Sequence, residues 1–230
     1  MKDGTNYFDY GFFELASPPK CEALRFAGQV VAFAGRILPS DSTNRYHSLV
    51  MALLKAKIVV VPMGDVDYTL VNRLATETGP IFDRSVDILK GMKMPDEAYN
   101  VVRSQFYVRV ALSKLERAKA NHREKVIAIC EEDLYLPDEN FVIGYADQLA
   151  GVAAVSLYQM RQEFYGLPED EGRVYDRMFK EAINQLGFLF EVPGCRNSKC
   201  VHYGTVNMME IDQKGPKFCD VCRRRLTGQV

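Results

Sequence analysis

Four cysteines stand in the last 36 residues of this 230-residue chain, as Cys195-x4-Cys200 and Cys219-x2-Cys222. Two pairs with four and two residues between their members, and 18 between the pairs, can place four thiolates at the corners of a tetrahedron about one zinc ion. In a reducing compartment this pattern reads as metal ligation before disulfides. A four-thiolate site has no open coordination position, so it staples a region too small to build its own core and does not catalyse. His202, two residues past Cys200, is an alternative ligand that four thiolates make unnecessary. The Arg223-Arg224-Arg225 run after Cys222 could contact phosphate, but such runs are more often solvated or paired with acids. Cys21 and Cys130 stand alone and read as buried thiols, and the three histidines, His47, His122 and His202, lie far apart.

The composition bounds what these groups can serve. With 47% apolar residues and 29 basic against 30 acidic side chains, the chain is globular, with core enough for one large domain or two small ones. A net charge of −1 argues against a protein whose main task is to coat nucleic acid or an anionic membrane. The most apolar early stretch, Cys21 to Leu38, is interrupted by Glu22, Arg25, Gln29 and Arg36, too broken to span a bilayer and without the marks of a secretory signal. A cytoplasmic protein with no membrane partner is expected.

Three segments position the chemistry. Residues 1–56 read as an N-terminal helical extension. It has an aromatic lead (Tyr7, Phe8, Tyr10, Phe12, Phe13), a helix-like run from Cys21 to Leu38, and a short helix from Asn44 to Ala56. Residues 57–194 alternate between α and β. The patterns predict strands at Ile58–Pro62, Ser85–Leu89, Lys125–Cys130, Phe141–Tyr145 and Val152–Leu157, the third of them central because it has no polar face. They predict helices at Asp67–Glu77 and Asn100–Ala120, and a long one from Gly172 to Phe190 with Val174, Met178, Ala182, Leu186 and Phe190 on one face. Residues 195–230 form the cysteine-bearing module.

Five stretches, in order, make the chain recognisable: Val59-Val60-Val61-Pro62-Met63-Gly64, Asp133-Leu134-Tyr135-Leu136-Pro137, Asn140-Phe141-Val142-Ile143-Gly144, Glu163-Phe164-Tyr165-Gly166-Leu167-Pro168, and Lys214-Gly215-Pro216-Lys217-Phe218-Cys219-x2-Cys222-Arg223-Arg224. Over about residues 57 to 227 the chain resembles the archaemetzincins, compact metzincin-clan zinc peptidases of archaea and some bacteria. The resemblance implies a metzincin-like α/β fold: a twisted mixed sheet with flanking helices, a long active-site helix and a C-terminal four-cysteine zinc module.

In that family the helix before the cysteines reads H-E-x-x-H-x-x-G-x-x-H. Two histidines one turn apart hold zinc, the glutamate takes a proton from metal-bound water, and the glycine turns the chain toward a third histidine. Counting back from Cys195, those positions are Asn184, Gln185, Phe188, Glu191 and Gly194, while Leu186, Gly187 and Phe190 fit the family. Asn184, Phe188 and Gly194 supply no imidazole, and the carboxamide of Gln185 cannot act as a general base. The family's methionine beneath the metal, two residues after the second cysteine, is His202 here. Glu181 and Glu191, near this helix, read as ordinary surface charges. The resemblance with these departures implies a pseudopeptidase with no catalytic residues and one structural zinc on Cys195, Cys200, Cys219 and Cys222. Its partner would be another protein or a peptide segment in a larger assembly. The alternatives are a zinc metallopeptidase with atypical ligands and a zinc-module adaptor for nucleic acid through Arg223 to Arg225.

Overall fold

Val59, Val61, Val126, Ala128, Val152 and Ala154 alternate along their strands with Ile58, Val60, Ile127, Ile129, Ala153 and Val155, and both sets are buried. Alternate side chains leave opposite faces of a strand, so a sheet of such strands must be covered on both sides. The computed structural model describes residues 56–228 and, before them, the backbone of two short strands. The chain divides into two compact units, Met1–Leu54 and Lys55–Val230. The cysteine-bearing segment therefore belongs to the same unit as the sheet.

In the first unit β1 (Ala23–Phe26) and β2 (Gln29–Ala32) pair antiparallel, Ala23 opposite Ala32. The sequence pattern predicts a helix across this stretch, and its described residues form a hairpin instead. Phe26, Val30 and Val31 suit a pleated strand, but Ala, Leu, Arg and Gln favour helix, so the pairing of the two segments and not local propensity makes the strands. The aromatic lead and the predicted helix before Ala56 fall outside the described residues.

The second unit is built on β3 (Ile58–Met63), β4 (Val86–Ile88), β7 (Lys125–Cys130), β9 (Gly144–Asp147) and β10 (Val152–Ser156). Their order is β4-β3-β7-β10-β9, with the first four parallel and β9 antiparallel at the edge. The strand without a polar face is thus the middle one. A smaller sheet joins β5 (Tyr99–Asn100), β6 (Gln105–Tyr107) and β8 (Leu134–Tyr135). One face of the large sheet packs on α1 (Tyr68–Phe82) and α3 (Glu171–Leu189), through Val71, Leu74, Met178, Ala182 and Leu186. The short α4 (Met208–Gln213) and the region of α5 (Asp220–Leu226) join this layer through Met208, Ile211, Phe218 and Leu226. The other face packs on α2 (Val108–Ala118), through Val108, Ala111, Leu112 and Leu115.

Two elements start later than predicted. The helix expected from Asn100 begins at Val108. The Asn100 side chain accepts the backbone N–H groups of Val102 and Arg103, and Ser104 takes a left-handed backbone (φ 55°), which folds 99–107 into a hairpin. The strand expected at Phe141–Tyr145 begins at Gly144, because Val142 is used elsewhere, donating its N–H to Leu134 O at 2.7 Å. Among the described residues no helix is long and apolar enough to cross a membrane.

Candidate functional site

The chain leaves α3 and immediately builds the cysteine group. Cys195 follows the helix by six residues and donates its N–H to His202 O, Cys200 closes a turn from Asn197, Cys219 caps α5, and Cys222 lies in its first turn. Their four Sγ atoms lie within 4.8 Å of one another, and Cys195 Sγ is 3.7 Å from Cys219 Sγ. Sulfurs at the corners of a tetrahedron with zinc bonds of 2.3 Å would be about 3.8 Å apart. Backbone N–H groups point at the sulfurs, from Cys219 to Cys200 Sγ at 3.2 Å and from Asn197 to Cys195 Sγ at 3.4 Å. The N–H of Cys222 pulls the Cys219 thiol down to about 7, whereas burial pushes Cys200 and Cys222 up. Four thiolates this close repel one another, and a divalent cation at their centre removes that cost. The residues present fit a zinc ion, and four thiolates would fill its tetrahedral positions.

The motif positions on and after α3 are occupied differently. Asn184 and Gln185 are buried. Gln185 Nε2 donates to Glu181 Oε1 at 2.6 Å, and Asn184 Nδ2 approaches the same oxygen at 3.3 Å. The other carboxylate oxygen of Glu181 takes Lys214 Nζ at 3.2 Å, and Lys214 also reaches Tyr203 O at 3.4 Å. Glu181 is 4% exposed and Lys214 2%, so the sequence expectation of a surface charge at Glu181 is corrected: it is a buried carboxylate held by an ammonium and two amides. Burial lowers the pKa of Lys214, and the Glu181 carboxylate opposes the shift. Glu191 is exposed, as expected.

Phe188, at the second ligand position, lies 4.4 Å from the His202 ring, at the floor position. His202 is fully buried, with Nε2 2.8 Å from Val192 O, and burial lowers its pKa. A Cβ on Gly187 would sit 2.7 Å from His202 Nδ1, so only glycine lets this ring lie on the helix. Gly194, at the third ligand position, keeps its place, since a Cβ built there would be 4.0 Å from the Phe188 ring. Glu191 stands where the motif has glycine, and its backbone is left-handed (φ 61°), the conformation that glycine would supply. The turn therefore survives without its usual residue. His122 is exposed in the loop before β7, and His47 lies outside the described residues.

Beside this helix runs an open cleft of about 710 Å³, lined by Tyr145, Ala146, Gln185, Phe188, Val192, Pro193 and others. Its wall is β9. Ile143 O and Asp147 O accept N–H groups from the β10 side, so by antiparallel alternation the N–H and C=O groups of Gly144 and Ala146 face away from the sheet. Gly144 is as restricted as Gly187, because a Cβ there would lie 2.7 Å from Glu181 Oε1 and 2.8 Å from Gln185 Nε2. Gln148, in the turn after β9, donates to Phe188 O at 2.8 Å and ties the edge to the end of α3.

The comparisons with known proteins agree with this geometry. The family model for peptidase family M54 matches residues 80–228. An archaemetzincin of Methanocaldococcus jannaschii is 31% identical over 170 residues, which are 74% of this chain and 92% of that protein. One of Pyrococcus furiosus is 30% identical over 183 residues, 77% of this chain and 95% of the relative. Among solved structures, a zinc-dependent peptidase from Methanocorpusculum labreanum superposes with a TM-score of 0.68 at 29% identity, covering 74% of this chain and 99% of that one. An archaemetzincin from Methanopyrus kandleri gives 0.65 at 28% identity, over 75% and 94%.

Three outcomes are expected of this site. Cys219→Ser should release zinc and expose the C-terminal segment to limited proteolysis; unchanged metal content and resistance would contradict the four-thiolate assignment. Lys214→Met should destabilise the protein by about 3–5 kcal/mol in denaturant titration, because it strands a buried carboxylate, and adding Glu181→Leu should restore much of the loss. Glu191→Gly should stabilise by about 1 kcal/mol in the same assay, since it relieves a left-handed non-glycine residue.

Proposed function

The chain belongs to peptidase family M54, the archaemetzincins, and on that premise we propose that it is a pseudopeptidase: a protein-binding subunit that keeps the fold and a structural zinc and does not hydrolyse peptides. One observation carries this reading. At every position where the family motif asks for a metal ligand or a base, the side chain present has no such capacity and is otherwise engaged or missing. Peptide hydrolysis by zinc needs an open metal position and a group that accepts a proton from the bound water. Gln185 offers an amide that already donates to Glu181. Phe188 covers the ring of His202, and Gly194 has no side chain.

The zinc is held by Cys195, Cys200, Cys219 and Cys222, one ion per chain, and its work is to fix the segment that carries Lys214 and His202. The partner is a segment of another protein in extended form. The outward N–H and C=O groups of Gly144 and Ala146 pair with its backbone as an added strand, and an apolar side chain rests on Phe188, Val192 and Pro193. Recognition of this kind needs no chemistry at the former metal position. Reduced thiolates are best kept in the cytoplasm, which is where we place the protein.

The test is metal content together with turnover. Purified protein should carry about one zinc per chain and leave a fluorogenic peptide library uncut, with or without chelator. A second zinc equivalent with chelator-sensitive cleavage would replace this reading with that of a metallopeptidase using atypical ligands.

A further inference from the structure

The near-neutral total charge hides an uneven distribution. Residues 195–230 carry seven Lys and Arg against three Asp and Glu, while the rest of the chain carries 22 against 27. Six of the seven cations, Arg196, Lys199, Lys217, Arg223, Arg224 and Arg225, lie within three residues of one of the four cysteines, and all six are exposed. Because the four Sγ atoms lie within 4.8 Å of one another, these cations are gathered about a single point. Lys214 is the seventh, buried on Glu181.

Most of that charge is not neutralised among the described residues. Arg223 pairs with Asp220, and Lys199 reaches Gln213 O at 3.4 Å. Arg196, Lys217, Arg224 and Arg225 make no ion pair among the described residues. A zinc ion with four thiolates has a formal charge of about −2, which leaves the region with an excess of about +2 when the metal is bound. The remainder of the chain has a net negative charge, so a polyanion would be steered to this region in preference to the rest.

We propose that the cysteine-held end of the molecule binds the phosphate backbone of nucleic acid, independently of the cleft. Three of the four unpaired cations are arginines, whose planar forks match phosphate oxygens two at a time. Phe218, an aromatic of this region, is spent on Phe82 and His202, and Tyr203 is half-buried, so neither offers a platform on which bases could stack. The recognition is therefore of backbone charge and carries no base sequence.

Fluorescence anisotropy of a labelled single-stranded RNA of about 20 nucleotides, titrated with the zinc-loaded full chain from about 50 mM salt upward, tests this. Four phosphate contacts predict that log K falls against log salt with a slope of about −3. Arg224→Gln with Arg225→Gln should weaken binding by about tenfold or more and bring the slope to about −1.5, while zinc content stays unchanged. Arg196→Gln with Lys217→Gln should do the same, and serves if the first pair disturbs α5. Exchanging Lys90 and Arg117, exposed cations remote in sequence from the cysteines, for Gln should change neither quantity. Absence of binding at about 50 mM salt, or a slope untouched by both arginine-containing variants, overturns the proposal. Displacement of the RNA by polyglutamate at equal charge concentration also overturns it, in favour of an acidic polypeptide partner.

Discussion

A carboxylate taken out of water must be answered by charge and hydrogen bonds, and Glu181 is answered from two directions. Lys214 arrives on the segment held by the cysteines, and Asn184 and Gln185 arrive from the next turn of its own helix. Arg177 and Lys180 extend the same polar stripe, binding the Asp212 carboxylate at 2.7 Å and Ile211 O at 3.2 Å. All five helix residues are 5% exposed or less. The long helix is thus fastened to the C-terminal segment by polar groups on one flank and to the sheet by apolar groups on the other. Position and orientation of the cleft floor follow from that double attachment, and the edge strand can close on it only because Gly144 has no side chain.

On the reading proposed above, the frame of a metallopeptidase persists here without the groups that would bind a catalytic metal. The left-handed turn at Glu191, the approach of position 194 to position 188, and the helix glycine at 187 all keep the geometry that three converging ligands require. What fills the space differs in kind. On that reading a cluster of the tilted rings of Phe188, His202 and Phe218 stands where imidazoles would surround an ion, and an amide–carboxylate–ammonium chain stands where a proton acceptor would be. Packing and hydrogen bonds engage Asn184, Gln185 and Phe188, three of the positions that the family motif assigns to ligands and base.

Much of this was legible in the residues, for identifiable reasons. The strands β3, β7 and β10 are buried on both faces, so their continuous apolar runs announce them, and the cysteine spacing announces a tetrahedral site. The edge strand starts three residues later than the pattern predicts because Val142 pairs with Leu134, and its continuation through Ala146 carries no strand signature. The helix predicted from Asn100 failed because a side-chain turn at that residue competes with the helical hydrogen bonds. Lys214 was invisible, since its partner is 33 residues away. The signal that could have revealed the buried seam is the polar set 177, 180, 181, 184 and 185, which recurs three and four residues apart along one flank of the helix.

The edge of the large sheet has one more consequence, for the solution behaviour of the molecule. An unpaired strand invites identical copies to join edge to edge, and proteins restrain this by keeping such strands short. β9 is four residues long, presents only two residues outward, and ends in a turn pinned to the neighbouring helix by Gln148. Two such edges could exchange only a handful of hydrogen bonds, too few to start an aggregate, so the same brevity that protects the protein from itself obliges any lasting occupant to draw its selectivity from side chains.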